Sequence, residues 1–574
     1  MPYIDWMGKN DVVNHHKKIP YKTIECKETI GDENSQNMII KGDNLLALKS
    51  LLPYYASSVK MIYIDPPYNT GNTSWVYNDN MDSPVIKKWL EKTVNAEDLS
   101  RSDKWLCMMY PRLKLLRELL KDDGVIFISI DNAEVTHLKM ICDEIFGKDN
   151  FVTNSIWRSS DNSNNDAKQF SSDYNHTLIY SKNNGWSPNK IFDESKSSHY
   201  KNPDNDPRGA YFDGNPLNSP SPRENLTYDI VSPNGTIINP PKNGWRWSKE
   251  TIEDKIRTGE IRFTIDEKRI KRRTYLSDLK GLPPSNLWID LNITGHNRQA
   301  KYELLNLIPE DVFDTPKPVK LLKFLLQIST SKNDIILDSF AGSGTTAHAV
   351  LEQNKLDGGN RKFILIETMD YAKDITAERV KRVVEGYSFI GKDKTTLFEK
   401  KLTTTDILNP EKMQKLSLEA LEIIEEKKDN FDKIEKTFKD NNLKIEGIKD
   451  IKSFKEGIGG GFKYCELSSD IFDEFGELNP KLTFAQIAKH IYFVEFKKPI
   501  CKDEIHEPYV GEYENRFIYF FENRFKVTDM KKIIKEHKSY KQIIIYTKKT
   551  SLSEDELKNH NITVRYIPYD IKDN

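Results

Sequence analysis

Ile335-Ile336-Leu337-Asp338-Ser339-Phe340-Ala341-Gly342-Ser343-Gly344-Thr345-Thr346 is the stretch that decides the fold. Its apolar start reads as a buried strand, its glycines as a tight turn, and the following Ala347-His348-Ala349-Val350-Leu351 as a helix. Strand, glycine turn and helix in this order make the nucleotide-binding corner of a Rossmann-like sheet. No Gly-Lys-Ser/Thr closes the turn, so it is not a phosphate loop, and the third glycine of a dinucleotide fingerprint is missing. A Gly-x-Gly alone also occurs in ordinary strand-to-helix turns.

Glu367 narrows the choice. It ends a second apolar strand, Arg361-Lys362-Phe363-Ile364-Leu365-Ile366, about twenty positions beyond the glycines, where an acid holds a pair of ribose hydroxyls. The expected ligand carries a ribose and needs no pyrophosphate; S-adenosylmethionine fits.

A second motif lies far upstream. Asp65-Pro66-Pro67-Tyr68 follows the short strand Lys60-Met61-Ile62-Tyr63-Ile64. A carboxylate at a strand end faces the ligand crevice of an open sheet. Two prolines fix the turn and remove two backbone donors while keeping their carbonyls as acceptors. With the flat face of Tyr68, this set suits a planar heterocycle bearing an exocyclic amine, such as adenine or cytosine drawn out of a duplex. Asp65 alone would equally suit a strand-end turn or a helix cap.

Around these motifs strands alternate with helices, which argues for a parallel doubly wound sheet. Strands are expected at Met38-Ile39-Ile40-Lys41, at Gly124 to Asp131 and at Thr177-Leu178-Ile179-Tyr180, and helices at Leu45 to Leu52, Trp105 to Leu120 and Val135 to Ile141. Asn69-Thr70-Gly71-Asn72-Thr73 reads as a polar loop. The texture changes near Ser181, where Asn, Pro, Gly and Ser become dense and helical periodicity fades. The basic run Lys268-Arg269-Ile270-Lys271-Arg272-Arg273 lies just beyond, close to Trp245-Arg246-Trp247. The α/β pattern resumes near Asp314 and stops by Ile390. A Lys- and Glu-rich stretch at residues 401–455 suggests exposed helices, and aromatic-rich strands follow.

Five scattered cysteines, none in a Cys-x-x-Cys pair, suggest neither a structural zinc nor a disulfide framework. No metal is expected. The 574 residues are 37% hydrophobic and 30% charged, as in soluble globular proteins. No apolar run approaches a membrane span. The first residues have neither the basic nor the apolar region of a signal peptide, so a cytoplasmic location is expected. A formal net charge of −1 neither supports nor excludes nucleic acid.

Taken together, Lys41-Gly42-Asp43-Asn44-Leu45, Asp65 to Asn72, Gly124 to Asp131, Thr315-Pro316-Lys317-Pro318 and Asp338 to Thr346 resemble the amino-methylating DNA methyltransferases. The order matches the β class, in which Asp-Pro-Pro-Tyr precedes a target-recognition insertion and the glycine motif follows it. The resemblance is nearest to the modification (Mod) subunits of type III restriction–modification systems. It implies an α/β fold with a circularly permuted S-adenosylmethionine-dependent methyltransferase sheet. The implied parts are a catalytic half at residues 1–182, a target-recognition insertion at 183–312, a cofactor half at 313–392, a helical connector at 393–460 and a C-terminal α/β or α+β domain at 461–574. The implied reaction is methylation of N6 of a flipped adenine, with N4 of cytosine as the alternative. A non-catalytic DNA-recognition subunit is the alternative of another class.

In that scheme Asp65, Pro66, Pro67 and Tyr68 are catalytic. Asp43, Lys317, Asp338, Phe340, Ala341, Gly342, Gly344, Thr345 and Glu367 hold S-adenosyl-L-methionine, with Asp43 at its adenine end and Lys317 near its carboxylate. Lys268, Arg269, Lys271, Arg272 and Arg273 are the basic candidates for DNA contact, although such a run also suits a solvated face. Trp245 and Trp247 fit core anchors better than stacking platforms, and His137 and His176 fit structural roles. The implied partners are double-stranded DNA, a helicase–nuclease restriction subunit and a second copy of the chain, with no membrane.

Overall fold

The computed structural model describes residues 4–69, 100–165, 167–191, 199–215, 217–278, 281–310, 313–439, 441–473, 475–496, 500, 504–537 and 539–571. The polar loop expected over residues 70–73 lies outside them. The chain divides into two compact units, Met1–Ser187 with Asn286–Asn574, and Pro188–Ser285.

The larger unit is built on a ten-stranded sheet. Its strands are β1 (Lys22–Gly31), β2 (Met38–Lys41), β3 (Val59–Ile64), β4 (Leu120–Ile130), β5 (Phe151–Arg158), β6 (Tyr174–Ser181), β7 (Leu287–Trp288), β8 (Ile335–Asp338), β9 (Lys362–Glu367) and β10 (Gly461–Asp470). Their spatial order is β1-β10-β2-β9-β8-β3-β4-β6-β5-β7. The middle six, β10 to β4, run parallel. Antiparallel partners flank them, β1 on one side and β6 on the other, so the sheet is mixed at its margins. β3 is buried at nearly every position. Its unbroken apolar run suits a strand covered on both faces.

The helices that matter for the site are α1 (Asn44–Tyr55), α2 (Arg101–Leu119), α3 (Val135–Phe146), α4 (Val319–Ser329), α5 (Thr345–Asp357) and α6 (Glu378–Glu385). Leu45, Leu48 and Leu51 of α1 and Trp105, Leu113 and Leu116 of α2 share one core with Ile62 and Ile64 of β3 and Ile126 and Ile128 of β4.

Chain order and spatial order part company at the centre. β8 comes late in the chain, yet it pairs with β3, with Ile336 beside Met61 and Leu337 beside Ile62. From β8 the later strand β9 lies on one side, and β3 and β4 lie on the other. A sheet with such a reversal leaves a crevice at the carboxyl ends of the two strands concerned. Asp65 and Asp338 both sit at that edge.

Three findings depart from the sequence reading. Residues 393–460 are not a purely helical connector: only Pro410–Lys427 is a long helix, and Gly386–Lys401, Lys433–Lys439 and Asn442–Glu456 form an antiparallel sheet. The Lys- and Glu-rich composition hid a period of two, with Lys444 and Glu446 alternating with Leu443 and Ile445. Residue 461 does not open a separate terminal domain either. β10 begins there and lies between β1 and β2, with Phe462 and Tyr464 buried. Finally, Cys26 and Cys465, directly opposed on β1 and β10, are disulfide-bonded. They stand 439 positions apart, and no local spacing signals the pairing.

The remainder of this unit carries a four-stranded sheet, Tyr509–Tyr513, Arg516–Phe521, Gln542–Thr547 and Ile562–Tyr566, with the helices Phe484–Phe496 and Val527–Glu536. Among the described residues no helix is long and apolar enough to cross a membrane.

The smaller unit has a three-stranded antiparallel sheet of Ile261–Phe263, Ile270–Tyr275 and Tyr211–Asn215, the short hairpin Ile230–Val231 with Ile237–Ile238, and the helix Lys249–Arg257 capped by Ser248. Trp245 is a core anchor, packed with Leu217, Ile230, Ile252 and Ile270, and its indole N–H donates to the Tyr228 carbonyl at 2.7 Å.

Candidate active site

The Asp-Pro-Pro-Tyr turn leaves β3 at Ile64 and is braced from several directions. The Tyr68 hydroxyl donates to Asp65 Oδ1 at 2.7 Å. Asp65 Oδ2 is ion-paired with the Lys317 ammonium, which enters just ahead of α4. From α2 the Trp105 indole donates to the Pro67 carbonyl at 2.7 Å, and Arg101 donates to the Asn69 carbonyl. Asn69 has φ of 58°, and its side-chain amide donates to Glu134 Oε1 at 2.6 Å.

Glu134, 1% exposed, also accepts from Ser102 Oγ at 2.7 Å and lies 2.7 Å from His137 Nδ1. One buried carboxylate thus ties the end of the turn to α2 and α3, and His137 serves that brace. Burial, with Asp65 adding to it, pushes the Tyr68 phenol well above its ordinary pKa, so its hydroxyl remains a donor.

The glycine turn after β8 is held from below. Gly342 and Gly344 have φ of 52° and 79°, a region that other residues reach only with strain. A Cβ on Gly344 would lie 3.0 Å from the Thr376 carbonyl, and one on Gly342 would lie 3.1 Å from the Phe313 ring. Asp338, 2% exposed, accepts from the Phe340 N–H at 3.0 Å and from the Thr346 hydroxyl at 2.5 Å. Glu367, at the end of β9, accepts from the Gly342 N–H at 2.7 Å and the Met369 N–H at 3.0 Å. Its burial raises its pKa.

Arg379 at the start of α6 is fully buried and completes the support. It donates to Ser343 Oγ at 2.9 Å and Thr345 Oγ1 at 2.7 Å. Burial lowers its pKa to about 10. Three residues earlier, Thr376 donates to the Gly342 carbonyl at 2.6 Å from a π-helical segment, Lys373–Ala377, a distortion common at functional sites.

The two motifs converge. Burial pushes the Asp338 carboxyl up to about 7, and Asp65 and Glu367 add to the effect through their charge. Acids from β3, β8 and β9 therefore gather at one edge of the sheet, with bare glycine backbone among them.

Several expected residues make contacts within the chain that the sequence did not indicate. Lys317, expected beside a cofactor carboxylate, pairs with Asp65. Asp43 caps α1 by accepting from the Leu46 N–H at 3.0 Å and lies 3.6 Å from Arg112. It also lines a surface cavity with Lys41, Gly42, Leu46, Glu466 and Leu467. The Asp338 carboxylate and the Thr345 hydroxyl are spent on holding the loop, whereas Ala341, Gly342 and Gly344 contribute backbone; Phe340 is half-buried against the main core.

In the smaller unit the basic run divides. Arg273 is buried and cannot meet DNA: it bonds Asp213 at 2.9 and 3.1 Å and Asp206 at 3.1 Å, and lies 3.3 Å from the centre of the Tyr211 ring. Arg272 is held by Glu260 at 2.9 Å. Lys268 and Arg269 precede the strand, and a register shift between Arg272 and Arg273 breaks its alternation and turns Arg273 inward, so within this run Lys268, Arg269 and Lys271 are the exposed residues.

Trp105, Glu134, Thr376 and Arg379 were not singled out from the sequence. Each acts on a motif distant in the chain, and none carries a local pattern of its own.

Residues 59–378 match the DNA methylase family. The chain is 37% identical over 365 residues to the Mod subunit of the type III restriction-modification enzyme StyLTI of Salmonella typhimurium, an alignment covering 61% of this chain and 55% of that protein. It is 33% identical over 460 residues to the EcoPI Mod subunit of Escherichia phage P1, covering 70% of this chain and 69% of that one. The chain thus spans between 55% and 69% of these curated relatives' lengths. Among solved structures, PvuII DNA methyltransferase (cytosine-N4-specific) aligns at 14% identity with a TM-score of 0.33, covering 60% of this chain and 86% of that chain.

Proposed function

Because the chain belongs to the DNA methylase family, we propose that it is a site-specific DNA methyltransferase that modifies N6 of an adenine flipped out of duplex DNA. The observation that carries this reading is the convergence of the Asp-Pro-Pro-Tyr turn and the glycine turn at adjoining ends of β3 and β8.

The glycine edge fits S-adenosyl-L-methionine. Glu367, oriented by the Gly342 and Met369 N–H groups and bonded also by the Tyr371 side chain, would take the ribose hydroxyls, and Ala341, Gly342 and Gly344 would lie against the ligand. When bound, that ligand supplies an electrophilic methyl group on sulfur. The chain's own residues do the rest.

An adenine amine is a poor nucleophile because its lone pair is delocalised into the ring. Donating to Asp65 and to the Pro66 carbonyl favours a tetrahedral nitrogen and aims its lone pair. Trp105 takes up the Pro67 carbonyl, which fixes the turn for that geometry. Tyr68 offers its face to the base and offsets part of the unstacking cost of a few kcal/mol. Positioning of this kind supplies much of the acceleration.

The exposed Lys268, Arg269 and Lys271 are the basic residues we assign to phosphate contact, which gives affinity without sequence choice. By analogy with the Mod subunits, the protein works with a restriction subunit that supplies cleavage, and as a homodimer.

The test is incubation with methyl-labelled cofactor and mixed duplex DNA, followed by digestion to nucleosides. Label in 6-methyladenine is expected. Label in 4-methylcytosine would reject the adenine assignment, and undiminished methylation by Asp65→Ala would reject the site. Single-molecule sequencing of DNA from cells expressing the chain would give the modified position and its context.

A further inference from the structure

We propose that Lys317 is an internal stand-in for the target base and thereby helps determine which adenines are accepted. This rests on the reading above, which sets an amine against Asp65 and a flat ring over Tyr68. Lys317 makes both contacts from within the chain. Its ammonium donates to Asp65 Oδ2 and lies 5.1 Å from the centre of the Tyr68 ring. The other oxygen of Asp65 accepts from Tyr68, so an incoming amine meets a carboxylate already engaged on both sides.

The backbone that delivers Lys317 is stiff. Prolines at 316 and 318 fix φ on either side, and the residue is buried. The next N–H, of Val319, donates to Glu303 at 3.2 Å. What moves readily is the side chain, a flexible four-carbon stem ending in a point charge. Withdrawal of the ammonium clears Asp65 and the Tyr68 face together.

The exchange is uphill by itself. A bond between two ionised groups is stronger than one donated to the carboxylate by a neutral amine. Stacking on Tyr68 and contacts elsewhere on the DNA have to make up the difference. A duplex with one wrong pair supplies less of that and leaves Lys317 seated; the right sequence displaces it. Lys317 therefore sets a threshold for base entry and sharpens discrimination.

The experiment uses the full chain and the site mapped by sequencing. Duplexes carry 2-aminopurine at the target position, in the right sequence or with one flanking pair changed. Fluorescence is read in the presence of sinefungin, a cofactor analogue that cannot transfer a methyl group. Lys317→Met is expected to raise the signal on the altered duplex at least threefold and to lower the ratio of kcat/KM between right and altered sequences by a similar factor. Lys317→Arg keeps the cation and the wild-type ratio.

An unchanged signal and ratio in Lys317→Met would overturn the proposal. So would loss of the signal on the right sequence, which would mean that Lys317 supports Asp65 and does not compete for it. Lys317→Gln answers the same question should the methionine variant not fold. Absence of 6-methyladenine from wild-type digests would sink the methyltransferase reading itself. Unchanged discrimination in a variant that still methylates sinks only this inference.

Discussion

The phenol of Tyr68 is bonded to the carboxylate of Asp65 three residues before it, Oη to Oδ1 at 2.7 Å, so the flat surface and the acceptor of the turn hold one fixed relation. Removing the bond and removing the ring should therefore have different consequences. Tyr68→Phe keeps the ring and should lower kcat only a few-fold. Tyr68→Ala loses a stacking surface of about 1–3 kcal/mol per base, so kcat/KM for DNA should fall by about tenfold or more. Steady-state methylation kinetics separate the two, and equal losses would mean that the ring does not stack.

Asp338 makes stability depend on pH. Its folded pKa of about 7 lies above that of an ordinary carboxyl, chiefly through burial. Well below that ordinary range both states hold the proton and nothing is lost. As pH climbs towards 7, the unfolded carboxyl releases its proton first, so this group's contribution falls, and it levels off above 7. Asp338→Asn removes the dependence. Its stability relative to wild type should rise by about 3 kcal/mol between about pH 4 and about pH 8, read from denaturant melts at each pH.

Arg379 should govern cofactor affinity without touching DNA. Its guanidinium bonds Ser343 and Thr345, and hydrogen bonds of charged groups contribute about 1.5–3 kcal/mol each. Arg379→Met should raise KM for S-adenosyl-L-methionine about tenfold or more while leaving KM for DNA within about twofold. Arg379→Lys should recover part of the loss. Isothermal titration with the cofactor checks the binding term directly.

The basic run of the smaller unit should respond in two ways. Arg273→Met takes a buried cation from Asp204, Asp206 and Asp213; Asp206 keeps Arg262 and Tyr275 and the other two acids face solvent in part, so the loss should be about 1–3 kcal/mol of stability. Alanine at Lys268, Arg269 or Lys271 should leave melting unchanged. Each should reduce the salt dependence of DNA binding, lowering the slope of log K against log salt by about 0.9 per lost phosphate contact. Fluorescence anisotropy at several salt concentrations measures it.

Much of the architecture was legible because its signals are local. The apolar runs at Ile335 and Met61, the glycines after them and the strand-end acids announce themselves within a dozen residues. The order of the motifs implied a permuted sheet, and the pairing of β8 with β3 came from the structure. What stayed hidden depends on contacts that no local spacing encodes. Lys317 meets Asp65 across 252 residues, and Arg379 reaches Ser343 across 36. The basic run misled for another reason: composition does not say which way a side chain points. Ile270 and Arg273 are buried while Lys271 is exposed, and three acids from elsewhere claim the last arginine.

The position of β10 bears on how this protein can be dissected. It is the sole described neighbour of β1 in the sheet and covers the outer side of β2. A fragment stopped near residue 392, where the sequence texture changes, would shed β10, orphan β1 and leave the backbone amides and carbonyls of β2 facing water. Bare margins of that sort recruit other chains, so such a truncation should clump instead of yielding a minimal enzyme. Anyone seeking a smaller version would have to splice the late strand back beside the early one.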